Sequence, residues 1–250
     1  MSNTISTILR LKSLLIMITS FTLISSADAQ STNVGTWNVC DLIYKLNKHY
    51  TLWTEVQTRT QDLYSAFYYH ELKCGAFYNF PKSRSSVFLG GGRYTTYNYS
   101  GNFKSPVSSE EFRIWEQFVL NNGYNHLNIE HRYRLEQRWI NNNFKPRLRY
   151  RINPTFAINH SSIVPKTLFV SAFDEIFIGN ANPHLERNRY YIGIGYQFSN
   201  SFAFQSGYIN QTDFNALGGQ KDKRFIQSTL VFYLDKKTAI KEGKTNTIVD

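Results

Sequence analysis

HLNIEHRYRLEQRW, residues 126–139, decides the fold. Every second residue from Leu127 gives Leu127, Ile129, His131, Tyr133, Leu135, Gln137 and Trp139; the intervening set is Asn128, Glu130, Arg132, Arg134, Glu136 and Arg138. One face is mostly bulky and the other is entirely polar or charged. At the 3.6-residue period of a helix these arginines would scatter around the cylinder, whereas the two-residue period of a strand gathers them on one side. The stretch is a long strand with an oily face and an ionic one.

The next stretch repeats the pattern. NFKPRLRYRI (143–152) sets Phe144, Pro146, Leu148, Tyr150 and Ile152 against Lys145, Arg147, Arg149 and Arg151. RNRYYIGIGYQF (187–198) sets Tyr190, Ile192, Ile194, Tyr196 and Phe198 against Arg189, Tyr191, Gly193, Gly195 and Gln197. In a soluble sandwich the polar face meets water, and Lys, Thr or Ser serve there as well as Arg. Faces built from Arg with interleaved Glu, Gly and Gln point instead to a crowded, ion-paired interior. The oily faces then turn to lipid.

Similar two-faced segments fall near 35–45, 50–60, 66–80, 86–98, 110–121, 126–140, 143–158, 167–178, 187–198, 202–210 and 223–234. Most exceed the roughly 5–6 residues usual in soluble domains, and reach the roughly 9–11 that a tilted strand needs to cross a bilayer. The expected fold is all-β, a single antiparallel transmembrane barrel. The segments number eleven, but bacterial single-chain barrels have even strand counts, so 10 or 12 strands are expected. Tight connections at 46–49, 81–84, 121–125 and 198–201 alternate with longer ones at 98–111, 179–188 and 210–223, as when one rim faces the periplasm and the other the outside. The alternation fails at Asn141–Asn143. Aromatic residues make up 16% of the chain; Trp37, Trp53, Trp139, Tyr50, Tyr133, Tyr190 and Tyr208 are placed to form interfacial girdles.

The ends supply a compartment. Arg10 and Lys12 precede the apolar run 14–24, and Ala27-Asp28-Ala29 offers the small residues that a signal peptidase reads. The expected organisation is a signal peptide over 1–29, a barrel over 30–235 and a polar tail over 236–250. The expected location is the cell outer membrane, with outer-membrane lipid as the surrounding partner. The whole chain carries a formal charge of +10, and export leaves an anionic surface or anionic solutes, rather than nucleic acid, as what that charge meets. Cys40 and Cys74 form no disulfide framework; they are either one staple or independent buried thiols. Nothing in the sequence speaks to oligomeric state.

FRIWEQFVL (112–120), IEHRYRLEQRW (129–139), PRLRYR (146–151), FDEIFI (173–178) and RNRYYIGIGYQFSNSFAFQSGYINQ (187–211) resemble, in the same order, a family of exported Gram-negative proteins of unknown function. That family is assigned to outer-membrane β-barrels. The resemblance covers most of residues 34–234, implies the barrel fold and the outer membrane, and brings no catalytic residue with it.

Candidate chemistry is sparse. His126 and His131 are separated by an odd number of positions and lie on opposite faces of a strand, so they cannot share a metal ion; no metal or other cofactor is expected. His160 and Ser162 in NHSS are similar to the His-x-Ser pair of outer-membrane phospholipase A, without the extended sequence around it. Asp174 and Glu175 are adjacent and cannot work on one substrate as an acid/base pair. The glycines at 90–92, 193 and 195 lie inside strands and read as close packing in a barrel wall. The site that remains is the lumen face: Glu130, Arg132, Arg134, Glu136, Arg138, Lys145, Arg147, Arg149 and Arg151. It reads as an ionic plug in a structural, non-enzymatic barrel. The alternatives are an anion-preferring channel or acidic-ligand porin and, through His160 and Ser162, a lipid-acting enzyme.

Overall fold

The computed structural model describes residues 33–98 and 102–235. The proposed signal peptide, 1–29, and the tail, 236–250, lie outside the described residues. The strands are β1 (Val34–Lys45), β2 (Tyr50–Asp62), β3 (Ser65–Asn79), β4 (Ser85–Tyr97), β5 (Val107–Tyr124) and β6 (Leu127–Ile140). They continue as the two-residue β7 (Asn143–Phe144), then β8 (Arg147–Ala157), β9 (Thr167–Gly179), β10 (Leu185–Gln197), β11 (Phe202–Phe214) and β12 (Gln220–Asp235). Eleven long strands pair with their neighbours in chain order, and β1 meets β12 to close the ring.

The closing pair corrects the expected strand number and the expected wholly antiparallel sheet. In an up-and-down chain with an odd number of strands the first and last run in the same direction, and β1 and β12 are parallel from Val34↔Arg224 to Lys45↔Asp235. Val34 and Asp235 consequently lie at opposite rims, called here the N-terminal and C-terminal rims.

Connection length does not distinguish the rims, contrary to expectation. The N-terminal rim carries 63–64, 98–106, 180–184 and 215–219; the C-terminal rim carries 46–49, 80–84, 125–126, 158–166 and 198–201. Much of what reads as long loop in the sequence is strand, because β5, β11 and β12 run past their apolar residues into Ser, Glu, Thr and Lys. Asn141 and Asn142 have φ of 46° and 67°, the two positive values that a tight hairpin turn demands and that Asn tolerates. That is why NNN forms a tight turn. Segment 143–158 is interrupted at Pro146, which has no N–H to extend the ladder, and Lys145 sits exposed at the break. The β8–β9 ladder lapses again at Asn153 and Pro154.

Alternation holds through most of each long strand and is broken at the register shifts beside Arg59/Thr60, Thr96/Tyr97 and Leu185/Arg187. Leu52, Val56, Leu72, Leu89, Ile114, Leu135, Leu148, Ile192, Ile194 and Leu230 are exposed on the outer face. Inside, one apolar cluster joins Trp37, Val39, Phe173, Tyr191, Ile209 and Phe225, and a second joins Trp53, Phe77, Phe88, Trp115 and Val119. Trp37 and Trp53 are therefore interior residues and not part of an interfacial girdle. Cys40 and Cys74 are free and exposed, correcting both the staple and the buried thiols.

Paired glycines make room for the interior rings. Gly75 faces Gly90 across β3 and β4, and a Cβ on Gly90 would meet the Phe88 ring at 2.3 Å. Gly193 faces Gly207 across β10 and β11, and a Cβ on Gly193 would meet the Tyr191 hydroxyl at 2.0 Å. Gly90→Val is expected to lower stability by about 1–3 kcal/mol through overpacking, read as an earlier urea midpoint in detergent micelles. Adding Phe88→Ala should make the two effects less than additive.

Candidate functional site

β6 and β8 pair so that Arg132 lies opposite Arg151, Arg134 opposite Arg149, and Glu136 opposite Arg147. Two of these three pairs set like charges against each other, which alone would destabilise the hairpin. The remedy comes from strands that the hairpin does not contain. Glu175 on β9 accepts from Arg132 Nη2 at 2.7 Å and Arg149 Nη2 at 2.8 Å, with Arg189 Nη1 of β10 at 3.5 Å. Glu136 is a second hub, reached by Arg147 at 2.6 Å, Arg149 at 2.7 Å, Arg134 at 3.7 Å and Arg113 at 3.9 Å. Arg149 bridges the two hubs.

Around them, Arg151 meets Glu130 at 2.9 Å. Arg138 meets Glu111 at 2.5 Å and Glu186 at 3.3 Å, and Arg113 also holds Glu111 at 2.6 Å. Eight of the nine residues of the sequence-defined face thus lie in one connected region. Lys145 does not, being exposed at the N-terminal rim. The residues missing from that face are Glu111, Arg113, Glu175, Glu186 and Arg189. Of these, Arg189 stands on a visibly polar face; the pairing of Glu175 rather than Asp174 with the arginines required the register.

A smaller group lies on β2 and β3, where Glu71 meets Lys73 at 2.8 Å and Arg59 at 3.5 Å, and Lys73 also contacts Glu55. Aromatic faces pack against several of the same guanidinium groups. Phe177 lies under Arg149 at 4.4 Å and under Arg147 and Arg189 at 4.9 Å each. The Trp37 ring carries Arg59 at 3.5 Å and Arg189 at 4.6 Å from its centroid, and donates from Nε1 to Gln57 at 2.7 Å. Such contacts gain strength when desolvated.

Burial decides what this arrangement can do. Arg132 and Glu175 are each 1% exposed and Glu136 is 0% exposed, so a water-sized sphere does not reach the hubs. Buried ion pairs recover their desolvation cost only with multiple, well-directed partners, and both carboxylate hubs have them. The network also pins the register, since a one-residue slip of β6 or β8 would turn every arginine to the outer face.

The other sequence candidates are not assembled into sites. His160 Nδ1 lies 3.0 Å from Thr167 Oγ1, and that hydroxyl donates to the Ser162 carbonyl at 3.4 Å; no hydrogen bond joins His160 to the Ser162 hydroxyl. Among the described residues no three His, Cys, Asp or Glu side chains come together as a metal site.

Fold and interior define a class: a closed eleven-strand barrel with an apolar exterior and an ion-paired core. The chain belongs to a family described as a protein of unknown function (DUF2490), whose model matches residues 34–222, from the start of β1 into β12. Comparison with curated proteins and with solved structures found no match.

Proposed function

We propose that this protein is a closed barrel of the outer membrane, a structural scaffold whose lumen is filled by its own Arg/Glu pairs. The observation that carries the closed reading is the near-zero exposure of Arg132, Glu136 and Glu175. It weighs against a standing anion conduit. The engagement of His160 with Thr167 weighs against a Ser162 nucleophile.

The membrane reading is supported by the outer face. A 13-residue strand such as β9 rising roughly 3.3 Å per residue and tilted about 40° spans roughly 30 Å, enough for an apolar band about 25 Å tall. Several outward polar groups are paired with one another, which lowers their cost in a low-dielectric surrounding. Gln137 donates to Glu116 at 2.9 Å, Asn188 donates to Asp174 at 2.6 Å, and His131 lies 2.9 Å from the Tyr150 hydroxyl.

The expected outcome is recovery in the outer-membrane fraction, heat-modifiable migration on gels, and no steady conductance steps in planar bilayers. A freely soluble periplasmic protein would end the membrane reading. An open, anion-selective channel would end the closed one.

A further inference from the structure

We infer that the C-terminal rim carries a binding site for a phosphate-type oxyanion, in a recess at the mouth of the barrel. The recess measures about 280 Å³ and is lined by Arg84, Asn125, His126, Asn128, Ser161 and Ser162, with Thr155 and Ala157 as its inner wall. Its lining holds a guanidinium, an imidazole, amides and hydroxyls, and no carboxylate. The guanidinium, amide N–H and hydroxyl groups of that set donate to an anion, and it holds no negative charge to repel one.

Two features place the donors. Arg84 packs directly over Gly123, where a Cβ would meet its Nη1 at 2.0 Å. Among the described residues no carboxylate pairs with Arg84, whereas the lumen hubs each hold several arginines. His126 donates from Nδ1 to the Ala157 carbonyl at 2.8 Å and stacks on Phe156, so the neutral ring presents Nε2 as an acceptor for the O–H of a singly protonated phosphate.

The rim supplies the field. Among the described residues, Lys45, Lys48, Lys82, Arg84 and Lys166 stand there with Asp235, while the N-terminal rim mixes Lys104, Lys145 and Lys221 with Asp62, Glu110 and Asp222. Summed over one mouth, such an imbalance concentrates anions. Asn128 lies two residues from Glu130 on β6, and neither Glu130 nor Arg151 lines the recess, so it needs no passage through the lumen. The site therefore stands or falls separately from the closed interior.

The same chemistry is offered by a phosphorylated solute and by a lipid headgroup. The test uses the full chain in neutral detergent micelles, with inorganic phosphate as the probe and chloride at matched ionic strength as reference, read by calorimetry. Saturable phosphate binding is expected, weakened about tenfold in Arg84→Gln by loss of a charge-assisted contact. Gly123→Ala keeps every charge but displaces the guanidinium, and should weaken binding comparably; Arg93→Gln, on the outer wall, should not. Displacement of phosphate by glycerol phosphate assigns a solute, and displacement only by short-chain phosphatidate in mixed micelles assigns a headgroup. Phosphate binding no better than chloride, wild-type binding by Gly123→Ala, or displacement by neither competitor overturns the proposal.

Discussion

Glu136→Gln is expected to destabilise the barrel by about 3–5 kcal/mol, the cost of breaking a buried ion pair from one side. The side chain keeps its size but loses its charge, and Arg113, Arg134, Arg147 and Arg149 all lie within 3.9 Å of that carboxylate. Arg134 retains its bond to Gln117, and Arg149 retains Glu175. Arg147 keeps only Glu186 at 3.5 Å and the Phe177 face. Urea unfolding in detergent micelles should show an earlier midpoint with an unchanged slope. Adding Arg147→Met should recover part of the loss, because it removes a stranded charge and leaves an apolar chain on Phe177. Glu110→Gln, exposed on the same sheet, should stay within about 0.5 kcal/mol of wild type. Equal effects at Glu136 and Glu110 would mean that the hub is solvated and the interior open.

Trp37→Ala should cost a similar amount, about 3–5 kcal/mol, as a large buried aromatic is replaced by a cavity. Trp37 is 0% exposed, packs edge-on against Phe225 at 5.6 Å, and carries the guanidinium groups of Arg59 and Arg189 against its ring. Its loss removes both packing and the aromatic surface that two guanidinium groups contact. Trp37→Phe retains a ring but removes the indole donor to Gln57, whose Oε1 still accepts from Arg59 Nη2 at 3.2 Å, and should cost about 0.5–1.5 kcal/mol for the lost hydrogen bond. The ratio of the two urea shifts separates the ring's contribution from that of its N–H. If Trp37→Ala unfolds with wild-type behaviour, the ring is not part of a packed core.

The strands were legible because their period is two and their faces differ sharply. All eleven long segments, and the adjacency of the Arg-rich pair 126–140 and 143–158, could be read without coordinates. The sockets for Phe88 and Tyr191 were legible only as glycines inside strands, since a cross-strand glycine pair appears only when the register is known. The recess at the C-terminal rim left no trace, because Arg84, His126 and Ser162 come from three separate turns.

What the sequence by itself determined is which face of each strand turns inward: a slip of one residue would expose the arginines of β6 and β8 and bury Leu135 and Leu148, a cost that no local rearrangement offsets. Tertiary structure alone decided how the ring closes and which charges meet. Alternation carries no information on the direction of β12 relative to β1, and the parity of the strand count, not any residue, makes that seam parallel. Likewise Arg132 and Arg149 find Glu175 only because β9 lies beside β8 in a register that sets Glu175 opposite Arg151. Ion pairing is a property of distance in the closed barrel, and distances of a few ångströms across strands are not encoded by spacing along one of them.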